Sequence, residues 1–276
     1  MEKIDLHIHS NLSDGNCDVN EIIKISKNNN CNKISITDHE IINDYSTIGN
    51  KNALTIINGI EFNTFERGMH ILGYGILDLE KVNNVMDSLH RENEYISFEL
   101  IEKLKKLNIN ISKEKIDEYL NSVGIKYKYL DKRHIVKYLI YKGYTKNVPD
   151  AYNNLIGKGT ELYIPLKKIK SNDIIELIND SGGVPVLAHP STLLLKEKDL
   201  LIKLKELQNY GLEGVEIINN KISKEQEILY VSLANKLKLI KTVGSDFHTI
   251  EDNNIGISCN EEIFEKLDEK IKIKKK

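Results

Sequence analysis

Short apolar runs alternate with amphipathic stretches along most of the chain. The runs at 3–8, 33–37, 54–60, 69–74, 184–188, 214–218 and 241–245 are bounded by polar or turn-forming residues, and several are rich in isoleucine and valine. That pattern is typical of buried parallel strands. Helical periodicity fills most of the gaps, at 19–29, 171–181, 198–209 and 223–237. Strand-then-helix alternation predicts an α/β fold built on a parallel sheet, open or closed into a barrel. The rhythm breaks between about 80 and 165. A long charged helix is predicted near 80–107, followed by helices near 112–122, 131–143 and 148–157. We read residues 81–164 as a helical insertion in a barrel formed by 1–80 and 165–276. Pro165 and the polar run 167–172 mark the return to the main pattern. The lysine-rich end, 270–276, reads as a solvated tail or as a nucleic-acid arm.

Composition narrows the chemistry. Of 276 residues, 40% are hydrophobic, which supports a sizeable core rather than disorder. The formal net charge of -2 supplies no global basic field for nucleic acid or membrane surfaces, so neither a stable nucleic-acid complex nor a membrane role is expected. Cys17, Cys31 and Cys259 form no CxxC spacing, which argues against a disulfide framework and a zinc–thiolate site. The start of the chain, MEKIDLH, has no apolar signal core, and no window reaches eighteen apolar residues. The expectation is a reduced, cytoplasmic protein.

The histidines change the picture. Six of the eight lie at or beside predicted strand ends: His7, His9, His39, His70, His189 and His248. Asp14, Asp38, Glu61 and Asp246 fall in the same places. Taken singly, Asp14 is an ordinary turn residue, Asp38 a cap, Glu61 a surface charge and His189–Pro190 a turn. Their joint placement matters, because the carboxyl ends of parallel strands share one face and sites are built there. Residues two apart on a strand point the same way, so His7 and His9 can grip one ion. Imidazole and carboxylate without thiolate suit Zn, Mn or Fe.

The motifs "DLHIHSNLSDG", "ITDHE", "GIEF", "HILGYG", "LAHP" and "GSDFH" occur in this order along the chain. Together they resemble the PHP (polymerase and histidinol phosphatase) superfamily of metal-dependent phosphoesterases, and within it the stand-alone TrpH-like group with a helical insertion. The resemblance implies a distorted (β/α)7 barrel, TIM-barrel-like, holding three divalent ions. His7, His9, Glu61 and Asp246 would hold the first; Glu61 would bridge to a second, also held by His70 and His189; Asp14, His39 and His248 would hold the third. Asp38 would orient an imidazole or accept a proton, and His189 or Asp38 would assist proton transfer.

The resemblance also implies hydrolysis of phosphate monoesters by hydroxide activated at the metals. The substrate would be a small phosphorylated one, the 5′-phosphate of a 3′,5′-nucleoside bisphosphate or the 5′ end of short RNA. In the resembled group, arginines of the insertion bind the second phosphate. Here "YLDKRHIVKYL" offers Lys132, Arg133 and His134, and "IGKGTELYIP" offers Lys158. Lysine meets phosphate as a point charge and lacks the bidentate fork; alternatively, Lys132 and Arg133 are solvated helix charges. Two rival functions stand beside this one, a histidinol-phosphate phosphatase and a metal-loaded scaffold without activity.

Overall fold

A computed structural model describes residues 2–45, 54–125, 127–252, 255–260 and 262–275. Its strands are β1 (Glu2–Ile8), β2 (Lys33–Ile36), β3 (Thr55–Asn63), β4 (His70–Tyr74), β5 (Val184–Leu187), β6 (Gly214–Ile218), β7 (Ile240–Val243) and β8 (Ile257–Cys259). They form one sheet in the order β7-β6-β5-β4-β3-β2-β1-β8. The helices are α1 (Val19–Asn28), α2 (Leu79–Lys106), α3 (Lys113–Ser122), α4 (Lys132–Tyr141), α5 (Val148–Ala151), α6 (Ser171–Asp180), α7 (Glu197–Asn209), α8 (Lys224–Leu237) and α9 (Glu262–Lys274). Among the described residues, no helix is long and apolar enough to cross a membrane.

The sheet nearly closes into a barrel. Past β7 the chain bonds back to β1: the Asp246 amide donates to the His7 carbonyl at 2.9 Å, and the His9 amide to the Phe247 carbonyl at 2.8 Å. Pairs β1–β2, β2–β3, β5–β6 and β6–β7 are parallel, as the alternation predicts. β4 departs from it, running antiparallel to both β3 and β5. The linker 64–69 is too short for a crossover, since returning to a parallel strand takes a dozen or more residues. The reversal has a functional consequence. His70 opens β4, yet the start of an antiparallel strand lies at the face where its parallel neighbours end.

β1 shows how the barrel sorts side chains. Ile4, Leu6 and Ile8 alternate with Asp5, His7 and His9, and all six are fully buried. Ile8 packs in one apolar cluster with Ile22 and Ile23 of α1 and with Ile34 and Ile36 of β2. The other face of the same strand therefore turns a carboxylate and two imidazoles into the barrel. α1 is fixed by a capping box, with Asp18 accepting from the Glu21 amide at 2.9 Å and Glu21 accepting from the Asp18 amide at 2.8 Å.

The chain divides into two compact units, residues 1–84 with 169–276, and residues 85–168. Among the described residues, the regular elements of the second unit are helices, and it has its own core, in which Leu100 and Leu104 of α2 cluster with Ile116 and Leu120 of α3 and Ile135 and Leu139 of α4. The helix expected over 148–157 is a single turn, α5, prolonged by a π-type turn over Tyr152–Ile156.

Two features at the carboxyl end correct the sequence expectation. A three-residue strand, β8, adds antiparallel to β1, and the supposed solvated tail is the last part of α9. Leu267 and Ile271 are buried, and the Lys274 ammonium donates to the Gly183 carbonyl and pairs with Glu213. Lysines on the outer face of an amphipathic helix give a sequence the look of a free tail. Replacing Ile271 by Ala should cost about 2–4 kcal/mol of stability, the usual range for a buried isoleucine. Chemical denaturation measures this; a loss below about 0.5 kcal/mol, typical of surface changes, would put α9 outside the core.

Candidate metal centre

Nine side chains from the ends of six strands meet at one face of the barrel. His7 and His9 come from β1 and the residue after it, Asp14 from the following loop, and His39 from just past β2. Glu61 is on β3, His70 opens β4, His189 follows β5, and Asp246 and His248 follow β7. Their donor atoms form four overlapping groups: His9, Asp14, His39 and His248; His7, His9 and Asp246; His7, Glu61 and His189; His39, Glu61 and His70. Every sequence-predicted metal ligand is therefore in the assembly.

Glu61 sits at the junction. It is 1% exposed, and its two oxygens face different imidazoles. Oε1 meets His70 Nδ1 at 2.9 Å and His189 Nε2 at 2.8 Å. Oε2 lies 3.2 Å from His7 Nε2, 3.1 Å from His9 Nε2 and 3.4 Å from His39 Nδ1. Asp246 Oδ1 stands 3.6 Å from His7 Nε2 and 3.5 Å from His9 Nε2. Asp14 forms the outer corner, 3.5 Å from His9 Nδ1 and 3.6 Å from both His39 Nε2 and His248 Nε2.

This donor set fits divalent cations. His7 Nε2 and both ring nitrogens of His9 are buried without an aligned hydrogen bond, an expensive condition unless another partner is supplied. Ligands about 2.1 Å from a tetrahedral ion stand about 3.4 Å from one another, close to the spacings seen here. Exposure is graded across the group: His7, His9 and Glu61 are enclosed, whereas Asp14, His70 and His248 are each about a quarter exposed. One side is thus open to solvent.

Residues that sequence reasoning missed hold the ligands in place. Buried Glu216, in the middle of β6, accepts from His7 Nδ1 at 3.0 Å and from the His189 amide at 2.8 Å. This fixes the His7 proton on Nδ1 and leaves Nε2 for a cation. Asn63 Nδ2 lies 3.2 Å from His39 Nδ1, and Thr192 Oγ1 lies 3.1 Å from His189 Nδ1. Asp5 ties the β1 end to the β7 loop by accepting from the Ser245 amide at 2.8 Å. The available signal was strict alternation: Asp5 shares a strand face with His7 and His9, and Glu216 interrupts an apolar run in "GVEII". Two residues of the site have positive φ, His189 at 21° and Asp246 at 56°; the second is the left-handed region that Asp tolerates, whereas the first is sparsely populated for any non-glycine residue.

Other expectations are revised. Among the described residues, the Asp38 oxygens accept from the Ser10 amide at 2.7 Å, Ser10 Oγ at 2.6 Å and Ser13 Oγ at 2.6 Å. It fastens the loop that carries Asp14 and so acts as a positioning residue. His189 has both ring nitrogens engaged, by Glu61 and Thr192. In the helical unit, Lys132 is not presented for a phosphate. It is 4% exposed, its ammonium donates to the Ile164 carbonyl, and burial brings its pKa down to about 8. Arg133 pairs with Asp131 at 2.6 Å, and His134 closes the cap of α4 by accepting from the Asp131 amide. All three serve the start of α4, where a sequence shows only a basic cluster. Lys158 is exposed in a turn.

The protonation balance follows from this crowding. Burial opposes a charge on His7, but Glu61 and Glu216 override it and raise the imidazole well above its usual range. Burial likewise opposes His9, which the nearby carboxylates of Asp246 and Glu61 nevertheless raise to about 10. His39, where burial dominates, falls to about 4. Burial would raise Glu61, but His7 and His39 hold it well below its usual range.

These findings agree with comparisons to known proteins. The PHP domain family model matches residues 5–164. A 5′-3′ exoribonuclease of Haemophilus influenzae is 26% identical, with 90% of each chain covered. A phosphoribosyl 1,2-cyclic phosphate 1,2-diphosphodiesterase of Eggerthella lenta is 24% identical, covering 88% of this chain and 93% of its own. A 3′,5′-nucleoside bisphosphate phosphatase of Chromobacterium violaceum is 20% identical, covering 95% and 93%. Among solved structures, a Bifidobacterium adolescentis protein provisionally assigned as a metal-dependent phosphoesterase superposes with a TM-score of 0.79 at 18% identity, covering 97% and 96%, and supports the fold.

The raised imidazoles generate a prediction for the metal-free protein. A His with an unfolded pKa near 6.5 and a higher folded pKa contributes stability that is complete below pH 6.5 and fades as pH rises toward the folded value. His7, His9 and His189 are all raised. Between about pH 6.5 and 8 the chelated protein should therefore lose melting temperature as pH rises. The Mn-loaded protein should not, because cations replace the protons and bind better as the ligands deprotonate. Thermal melts of the two forms across this range give the answer, and a rise in the chelated protein would contradict the assignment. With the family model spanning more than half of the sequence and the donor set at the strand ends of the matching barrel, the chain belongs to the PHP-domain family of metal-dependent phosphoesterases, hydrolases of phosphoester bonds.

Proposed function

We propose that this chain removes phosphate from phosphomonoesters, acting on the 5′-phosphate of 3′,5′-nucleoside bisphosphates or on the 5′ end of short RNA. The observation that carries the reading is Glu61, whose oxygens face two separate sets of imidazoles. This suits a carboxylate that bridges cations. His7, His9, Glu61 and Asp246 are proposed to hold one ion, Glu61, His70 and His189 a second, and Asp14, His39 and His248 a third. Mn, Fe and Zn all accept such nitrogen and oxygen donors. When bound, these ions supply an activated water and neutralise the oxygens of a phosphoryl group.

The remaining work falls to the protein. Three carboxylates, Asp14, Glu61 and Asp246, leave the loaded centre positive and attract a phosphate dianion. Glu216 and Thr192 set ring orientations, and Asp38 holds the loop bearing Asp14 through Ser10 and Ser13. The open flank at Asp14, His70 and His248 is where a phosphoryl group would enter. The exoribonuclease and bisphosphatase relatives support this substrate class over histidinol phosphate.

A phosphate-release screen of the Mn-loaded protein tests the reading. It compares a 3′,5′-nucleoside bisphosphate, a 5′-mononucleotide, short 5′-phosphorylated RNA, histidinol phosphate and a ribose cyclic phosphate. Preferred turnover of the bisphosphate or the RNA end is expected, whereas preference for histidinol phosphate or the cyclic ester would replace the reading. Asp246→Asn should lower activity by about 100-fold or more, beyond what loss of a supporting partner costs, with its melting curve retained. An unchanged rate would favour the scaffold alternative.

A further inference from the structure

Lys221 brings a fixed positive charge to the metal centre. It lies in the turn after β6, with a side chain 66% exposed, and its Nζ meets Asp246 Oδ2 at 2.6 Å. The other oxygen of that carboxylate faces His7, His9 and His248. The ammonium thus stands at the solvent side of the cluster. Its backbone is anchored: the Lys221 amide donates to Asn219 Oδ1 at 2.8 Å, and buried Asn219 extends Nδ2 toward Glu216 Oε2 at 3.4 Å. Glu216 is the group that holds His7 and the His189 amide. The turn carrying the lysine is thereby tied to the supports of the ligands.

Stability does not explain this arrangement. The Asp246 carboxylate is 12% exposed but the ammonium is 66% exposed, so solvent screens the pair from the lysine side, and ordering a lysine side chain costs up to about 2 kcal/mol. Electrostatics suggests a different use. Divalent ions on Asp246 would repel the nearby ammonium, and an anion lying between them relieves that repulsion. Phosphoryl oxygens provide such an anion, and lysine binds phosphate as a compact point charge. We propose that Lys221 is a specificity-determining residue that turns from Asp246 to a phosphoryl oxygen of the bound substrate, favouring dianionic monoesters over monoanionic diesters. This rests on the phosphomonoesterase reading given above.

The test uses the full chain loaded with Mn, in wild-type, Lys221→Met and Lys221→Arg forms. Metal content comes from elemental analysis, affinity for inorganic phosphate from calorimetry, and KM and kcat from a nucleoside bisphosphate. Loss of one charged hydrogen bond should weaken phosphate binding about 10-fold in Lys221→Met. The loss should fall mainly on KM, metal content should stay at the wild-type level, and a diester competitor should be affected less. Lys221→Arg should recover most of the affinity. Unchanged phosphate binding in Lys221→Met overturns the inference, as does metal loss in step with the weakened binding, which would mean that Lys221 only steadies Asp246. Because phosphate binding needs no turnover, a wild type that binds phosphate but hydrolyses nothing would refute the proposed function and still decide the role of Lys221.

Discussion

Buried imidazoles and carboxylates cannot face one another inside a barrel without a compensating charge, and the site depends on that constraint. Glu61 is enclosed among five imidazoles, and nitrogens of His7 and His9 lack aligned partners. Protons satisfy such a cluster in part, as the raised His7 and His9 show. Divalent cations satisfy it more completely, because each replaces several protons and meets several donors at once. The unusual backbone at His189 is held in part by its amide, which donates to buried Glu216. Much of this end of the barrel is thus organised around charges that it does not itself contain.

The geometry also explains a division of labour. Groups that face the cavity come from strand ends, where a short extension changes position without disturbing the core. Two of the groups that hold them sit deeper, Asp5 in β1 and Glu216 in β6, while Asn63 supports His39 from the end of β3. Rigid strands therefore fix the inner partners, and those partners fix the outer ones. Lys221 extends this chain outward through Asn219, placing a cation at the open rim.

Much of this was legible in the sequence. Histidine is scarce, and six of eight beside strand ends could hardly be explained by packing. Alternating apolar runs and amphipathic helices pointed to an α/β sheet, open or closed, and to a helical stretch between about 80 and 165; the barrel itself was implied by the family resemblance. The reversal of β4 was not read from the sequence, whose alternation predicts a parallel sheet; the short linker before His70 is what imposes it. Glu216 and Asp5 were not recognised, because a lone carboxylate in a strand looks the same whether it faces solvent or a barrel interior. Lys132 misled for the opposite reason: a charge at a helix start reads as open to a phosphate or to solvent, yet its side chain is buried and its ammonium donates to a carbonyl. The carboxyl-terminal helix was hidden by its own lysines, which mask the apolar line of Leu267 and Ile271.

The central claim is that Glu61 joins cations held by separate sets of imidazoles. Anomalous diffraction from Mn-soaked crystals at the metal absorption edge measures this directly. The account predicts peaks on both sides of Glu61, each about 2.0–2.3 Å from one of its oxygens and from the facing imidazole nitrogens. Full metal loading with no anomalous peak at Glu61 would contradict it.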